Sequence, residues 1–293
     1  MYDLGGSMRR LSHQRVQGTA VLGYRCDAHG RTRLADLYQR APCRLLFPDA
    51  GHDDIAQAVL LTTSGGLTGG DRLDFTLDAG DGTRVALATQ AAEKLYRALD
   101  GEADTRVAVR LRVGAGAWVE WLAQETILFD GARLRRQLDV DVAAGGRLLA
   151  TESVVFGRRA MGEQWTRGLL HDAWRIRRDG RLLWADAQHL AGDVAALRAA
   201  PFAFGDASAC ATLVYAGDDA EARLPLARAL LADHRGVAPG AMNAAATAFN
   251  GLLIARLLAG DAAALRRALI RLAGGLRQGI AGLPPCLPRV WYC

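Results

Sequence analysis

Polar and apolar residues alternate through much of this 293-residue chain. The stretches 72–78, 84–89 and 106–113 place an apolar side chain at about every second position, which is the period of a half-buried β-strand. Further short strands are predicted at 118–122, 126–129, 135–142, 148–156, 169–177 and 181–184. Glycine-containing turns separate several of these strands, and almost no helical window intervenes. The pattern predicts an all-β body from about residue 18 to 215.

The remainder, about residues 216–293, changes period. Acidic residues at 218–221 precede leucines with helical spacing, and negative charge in a first turn suits a helix. Residues 241–258 predict two strands joined at Asn250-Gly251, a strong hairpin signal. Asp261 is placed to cap a second helix. We therefore predict one domain over residues 1–293, in which a β-α-β-β-α unit and an extended tail follow the β body.

Bulk properties limit the classes of function. No apolar run reaches the roughly 20 residues of a membrane span, and the N-terminus lacks an apolar signal core, so a cytoplasmic protein is expected. Five cysteines without a CxxC pair and six histidines without HxxxH spacing predict no stable metal site. The net charge of +5 comes from dispersed basic residues. This dispersal favours acidic protein partners over nucleic acid.

The stretch TTSGGLTGGDRLD, residues 62–74, carries two glycine pairs. Asp71 directly after the second pair would repel a phosphate, and a strand-like alternation follows where a nucleotide-binding loop requires a helix. The stretch is typical of a glycine corner between antiparallel strands. Its density of polar side chains allows a second interpretation, in which the corner lines a water-filled passage.

Carboxylates raise an enzymatic alternative. Glu120 and Glu125, together with Glu152, could supply the acid and base of a β-rich hydrolase. Carboxylates of this kind are more typical of exposed strand faces, and no nucleophile with an orienting base lies near them. Asp53-Asp54 is likewise typical of an exposed turn.

Six motifs occur together in an order that resembles one family. They are GRTRL (30–34), GGLTGGD (65–71), TQAAEKLYR (89–97), EWLAQETILFDGA (120–132), LLATESVVFGRRAMGE (148–163) and LPRVW (287–291). In this order and spacing they resemble the urease accessory protein UreD, also called UreH. The resemblance covers about residues 18–292. Each motif alone is weakly specific, and the specificity comes from the set.

The resemblance implies a urease-maturation chaperone and not an enzyme. Proteins of this family bind apo-urease together with UreF and the GTPase UreG, commonly with two copies of each accessory protein. Nickel is thought to pass through a polar internal passage in the family member, which bridges urease and UreF. No stably bound cofactor is implied, since nickel is only in transit. The implied fold is mainly β, with a superhelical, β-helix-like body and two C-terminal helices.

The resemblance also implies candidate residues for the nickel path. Asp71, Glu152 and Asp186 fall where the family has acidic residues, and hard oxygen ligands hold nickel weakly enough to release it. The other implied path residues are Ser64 and Thr68, with the wall formed by Gly65, Gly66, Gly69 and Gly70, and with Glu93, Lys94, Tyr96 and Arg97 nearby. Trp291 in the tail is the candidate anchor for a partner. A nickel-storage protein, a third alternative, would need converging His or Cys ligands.

Overall fold

A computed structural model describes residues 15–200, 202–232 and 242–293. The N-terminal residues that we searched for a targeting signal therefore lie mostly outside the described residues, as does residue 241 of the predicted hairpin. Within the described chain, no helix combines the length and the apolar character needed to cross a membrane.

The body of the protein consists of β-strands, which are numbered here in chain order. The strands are β1 (Gln17–Cys26), β2 (Thr32–Arg40), β3 (Cys43–Leu46), β4 (Ala56–Thr62), β5 (Arg72–Ala79), β6 (Arg84–Thr89), β7 (Glu93–Leu95), β8 (Thr105–Val113), β9 (Trp118–Leu122), β10 (Thr126–Leu128), β11 (Arg133–Val142), β12 (Arg147–Phe156), β13 (Arg167–Arg178), β14 (Arg181–Asp193), β15 (Ala209–Ala216), β16 (Met242–Phe249) and β17 (Leu252–Ala259). The helices are α1 (Val194–Ala199), α2 (Leu224–Ala232) and α3 (Ala262–Ala281). The prediction of a mainly β protein is confirmed.

The strands form two sheets. The first sheet has the order β14-β13-β11-β8-β5-β1-β2, and the second has the order β16-β17-β15-β12-β9-β6-β4-β3, with β10 and β7 attached beside β12. From β4 to β13 the main strands alternate between the sheets, and from β5 onward each pairs in parallel with the strand one coil earlier. This coil is the β-helix-like arrangement that the resemblance implied. Antiparallel strands, β2 and β14 on the first sheet and β3 and β15 on the second, end the parallel stacks.

Two apolar cores hold the fold together. The first core lies between the sheets, where Leu22, Leu77 and Leu111 of the first sheet face Leu87 and Leu148 of the second, all fully buried. Each such leucine contributes about 1.5–3 kcal/mol relative to an exposed one. The second core lies between the outer face of the second sheet and helices α2 and α3.

The C-terminal β-α-β-β-α order is present as predicted, from β15 through α2, β16 and β17 to α3. Asn250 and Gly251 both have positive φ, 51° and 73°, as the tight hairpin between β16 and β17 requires. The Asp261 carboxylate accepts hydrogen bonds from the backbone N–H groups of Ala263 and Ala264 and so caps α3. Pro225 is the second residue of α2, directly after a 3₁₀ turn.

Three local predictions are wrong. The glycine stretch does not join antiparallel neighbours, because β4 belongs to the second sheet and β5 to the first. Strand β14 runs on to Asp193 and is followed by the short helix α1, where we predicted a strand ending at residue 184. The tail is not extended throughout, since Arg289–Tyr292 forms a 3₁₀ turn.

Candidate functional site

A cavity of about 270 Å³ lies between the two sheets. Strands β4, β7, β9 and β12 of the second sheet and β5, β8 and β11 of the first contribute to its wall. Most of this wall is apolar, and its carboxylates include those of Glu93 and Glu152. Of the glycine stretch, Gly65 and Gly66 line the cavity together with the lysine of the neighbouring motif, Lys94.

Glu93 reaches the cavity from the short strand β7. Its carboxylate accepts a hydrogen bond of 2.8 Å from the Thr62 hydroxyl at the end of β4. Burial raises the pKa of Glu93, and the hydrogen bond from Thr62 offsets this rise in part. A cation that enters the cavity would therefore meet a carboxylate that is largely shielded from water. The pKa of this carboxylate depends on the groups around it.

Glu152 belongs to a buried ion cluster that spans the two sheets. The Arg136 guanidinium on β11 donates to both carboxylate oxygens of Asp172 on β13, at 2.9 and 2.6 Å, and to the Thr126 hydroxyl at 3.0 Å. Its Nε also lies 2.5 Å from Glu152 Oε2 on β12. Because the Nε hydrogen is directed at Asp172, Glu152 Oε2 accepts no hydrogen bond from the described residues.

The second oxygen of Glu152 accepts a hydrogen bond of 3.1 Å from the Trp121 indole. Burial raises the pKa of Glu152 to about 7, with the Arg136 charge lowering it and the Asp172 charge raising it. Glu152 is thus a lining residue of the cavity whose Oε2 is ion-paired with Arg136 but accepts no hydrogen bond from the described residues, and its charge changes near neutral pH.

Asp71 lies outside the lining of this cavity and closes the glycine turn. One carboxylate oxygen accepts from the Val16 backbone N–H at 2.9 Å and the other from the Thr68 backbone N–H at 2.8 Å. The side chain is buried, with 3% exposure. These contacts give Asp71 a structural role, and a role in nickel transit stays a prediction.

The geometry of the turn requires glycine, as two of its positions show. Gly66 has φ 135°, and a Cβ there would come within 2.5 Å of the Tyr96 ring and 2.9 Å of the Lys94 carbonyl oxygen. Gly70 has φ 85°, a conformation that side chains disfavour. The Tyr96 hydroxyl also donates to the Gly65 carbonyl oxygen at 3.1 Å, so the turn and the β7 segment are fixed to each other.

Asp71→Ala is expected to lower the free energy of unfolding by about 2–3 kcal/mol, because two partly buried N–H groups lose a charged acceptor. Ser64→Ala, an exposed position in the same turn, is the matched control and should change it by less than about 0.5 kcal/mol. Urea unfolding monitored by circular dichroism measures both. Equal stability of the two variants would contradict the turn-closing role.

The remaining candidates lie apart from the cavity. Asp186 on β14 forms an ion pair of 2.7 Å with Arg256 on β17. The Thr68 hydroxyl donates to the Arg97 carbonyl oxygen, and the Arg97 guanidinium pairs with Asp130 at 3.4 Å. Ser64 is exposed in the turn.

Trp291 does not lie on the surface, contrary to the reason for choosing it as a partner anchor. The side chain is 1% exposed, and its indole N–H donates to the Leu122 carbonyl oxygen at 3.2 Å. The Arg266 guanidinium covers the ring at 4.9 Å from its centroid. The tryptophan fixes the tail to the second sheet and to α3.

Comparison with known proteins decides the family. The model of the UreD urease accessory protein family matches residues 16–292. The chain belongs to the UreD family. It is 45% identical to the urease accessory protein UreD of Rhizobium leguminosarum bv. trifolii, over 95% of this chain and 96% of that protein. It is 47% identical to UreD of Methylobacterium sp. strain 4-46, over 95% of each chain, and 44% identical to UreD of Magnetococcus marinus, over 95% and 94%.

As a UreD protein the chain is an accessory protein and not an enzyme. The three carboxylates of the hydrolase alternative lie in three different environments. Glu120 faces α3 and pairs with Arg277, Glu125 pairs with Arg266 at 2.6 Å, and Glu152 faces the core between the sheets. Glu120 is fully buried, so the expectation of an exposed carboxylate is wrong for it.

Sequence reasoning missed the arginine of the buried cluster in this UreD protein. The basic run RLRRQ at residues 133–137 is typical of a solvated strand face, yet Arg136 is 5% exposed. The two-residue period of β11 contained the signal, because Arg136 lies on the same face of the strand as Leu134, Leu138 and Val140, which are all buried. Among the residues that the structure describes, no three His, Cys, Asp or Glu side chains converge as metal ligands.

Proposed function

We propose that this UreD protein delivers nickel to apo-urease, with the cavity between its sheets as part of the ion's route. In this proposal the protein bridges apo-urease to UreF and, through UreF, to the GTPase UreG. UreF docks on the side that carries α2, α3 and the tail, and the accessory complex holds two copies of the protein. Membership of the UreD family supports the coarser role, which is urease maturation.

The observation that carries the nickel route is the placement of Glu93 and Glu152 at one cavity between the sheets. Glu93 and Glu152 supply hard oxygen ligands, and Glu152 Oε2 accepts no hydrogen bond from the described residues. The neighbouring Arg136 charge opposes tight cation binding there, which suits an ion that must move on.

Glu93→Gln and Glu152→Gln test this route, because each keeps the side-chain shape and removes the charge. Urease matured with either variant is expected to contain about tenfold less nickel at early times, the effect of losing roughly 1.4 kcal/mol of stabilisation along the route. Metal analysis of the purified urease measures the loading. Pull-downs with UreF and urease from the same samples show whether the complexes persist.

Glu125→Gln is the matched control, since Glu125 is also ion-paired and partly buried but lies outside the lining of the cavity. Nickel loading equal to wild type in all three variants, with complexes intact, would exclude the cavity as the route. Asp71→Ala and Asp186→Asn belong in the same assay as tests of the remaining implied path residues. Reduced nickel loading per folded UreD protein, with complex formation unchanged, would place either residue on the route.

A further inference from the structure

The outward face of the first sheet carries charged side chains in rows that cross the strands. Because the central strands pair in parallel and in register, residues on neighbouring strands stand side by side. In one row Arg110, Asp139 and Arg175 alternate in sign. In the next row Asp78, Arg112, Asp141 and Arg177 alternate as well.

One row breaks this alternation, and we name it the basic row. It consists of Arg72 on β5, Arg106 on β8, Arg135 on β11, His171 on β13 and His189 on β14, each in register with the next. An open groove of about 680 Å³ runs along part of it. The basic row therefore differs from the two rows described above, in which aspartates separate the arginines.

The ion pairs within the fold leave part of the basic row unneutralised. Arg135 pairs with Asp104 at 2.6 Å, and Asp104 also pairs with Arg133 at 2.6 Å. Arg72 and Arg106 are exposed and form no ion pair with any residue in the described part of the chain. Like charges directly side by side on neighbouring strands destabilise a sheet. A partner that carries negative charge would relieve this repulsion.

We propose that the basic row docks an acidic helical segment of a protein partner, lying across the strands with a stripe of carboxylates toward the sheet. Neighbouring strands are about 4.8 Å apart, so the three arginines of the row stand about 5 Å apart over about 10 Å. A helix presents one side chain per turn on a given face, at a spacing of about 5.4 Å. A helical segment with three carboxylates, one on each successive turn, therefore matches the three arginines.

The local charges favour a protein partner over nucleic acid. Asp74 and Asp104 line the same groove as Arg72, Arg106 and Arg135. These carboxylates interrupt the positive field on both sides of the row, so a phosphate backbone would meet repulsion wherever it left the row. A narrow stripe of carboxylates on one face of a helix, in contrast, contacts the basic row and avoids Asp74 and Asp104.

The probe is a fluorescein-labelled helical peptide with glutamates at i, i+4 and i+7, compared with a peptide of equal composition whose glutamates are spread round the helix. Fluorescence anisotropy measures binding to the full chain. We expect the striped peptide to bind about tenfold more tightly than the dispersed one, and Arg72→Gln/Arg106→Gln to abolish this difference. The charge-reversed pair Arg72→Glu/Arg106→Glu should prefer a striped lysine peptide.

Arg110→Gln/Arg112→Gln is the matched control, because it removes the same charge from the same face of β8 in the alternating rows. Equal weakening by the control pair, equal binding of the two peptides, or tighter binding of a DNA duplex at the basic row would each overturn the proposal. The assay contains no nickel and no urease, so its outcome is independent of the proposed nickel route.

Discussion

Arg277→Met is expected to lower the free energy of unfolding by about 3–5 kcal/mol, because it leaves buried carboxylate charge without its partner. Arg277 on α3 is fully buried, and its Nε donates to both oxygens of Glu120, at 2.8 and 3.0 Å. Its Nη2 pairs with Asp54, and its Nη1 donates to the carbonyl oxygens of Pro284 and Cys286 at 2.8 and 2.7 Å. One guanidinium thus joins α3, β9, the segment before β4 and the tail.

Urea unfolding at neutral pH measures the effect, and Arg289→Met is the control at an exposed arginine of the tail. Adding Glu120→Gln to Arg277→Met should restore part of the lost stability, because the orphaned charge is then removed. Hydrogen exchange gives a second readout, since residues 283–292 should lose protection first. A loss below about 1 kcal/mol would show that water or another group satisfies Glu120 and Asp54 when Arg277 is absent.

The sequence predicted local structure well at positions where one or two residues determine the backbone conformation. Asn250-Gly251 formed the predicted hairpin, and Asp261 capped the predicted helix, because each depends on neighbours in the chain. A two-residue period identifies a strand but not its partner, so the parallel pairing between β5 and β8 could not be read from the alternation alone.

Long-range ion pairs were beyond sequence reasoning for a similar reason. Glu120 and Arg277 are 157 residues apart, and nothing near either residue indicates the other. Asp54 was interpreted as part of an exposed turn, whereas it pairs with the same arginine. The family resemblance named Glu152 as a path residue, but only the structure brings it to the same cavity as Glu93 and surrounds it with Trp121 and Arg136.

Arg136→Met is expected to destabilise the protein by about 3–5 kcal/mol near pH 8, since two buried carboxylates, Asp172 and Glu152, lose their shared cation. The loss should be smaller near pH 5.5, because Glu152, whose pKa burial raises to about 7, is then protonated and needs no counter-charge. Urea unfolding at the two pH values measures the difference. The triple variant Arg136→Met/Glu152→Gln/Asp172→Asn should recover stability at pH 8, and a loss that does not depend on pH would contradict the ionic origin.

Glu152→Gln isolates the pH dependence that this cluster gives to the wild-type protein. The pKa of Glu152 is raised from 4.5 to about 7 in the folded state, so the folded protein holds a proton there that the unfolded chain releases. The resulting stabilisation is fully present below about pH 4.5 and is lost as the pH rises through about 7. The variant should therefore show a flatter pH profile of stability between these values than the wild type. If nickel moves past Glu152, loading should also increase over the same interval, because only the deprotonated carboxylate binds the ion.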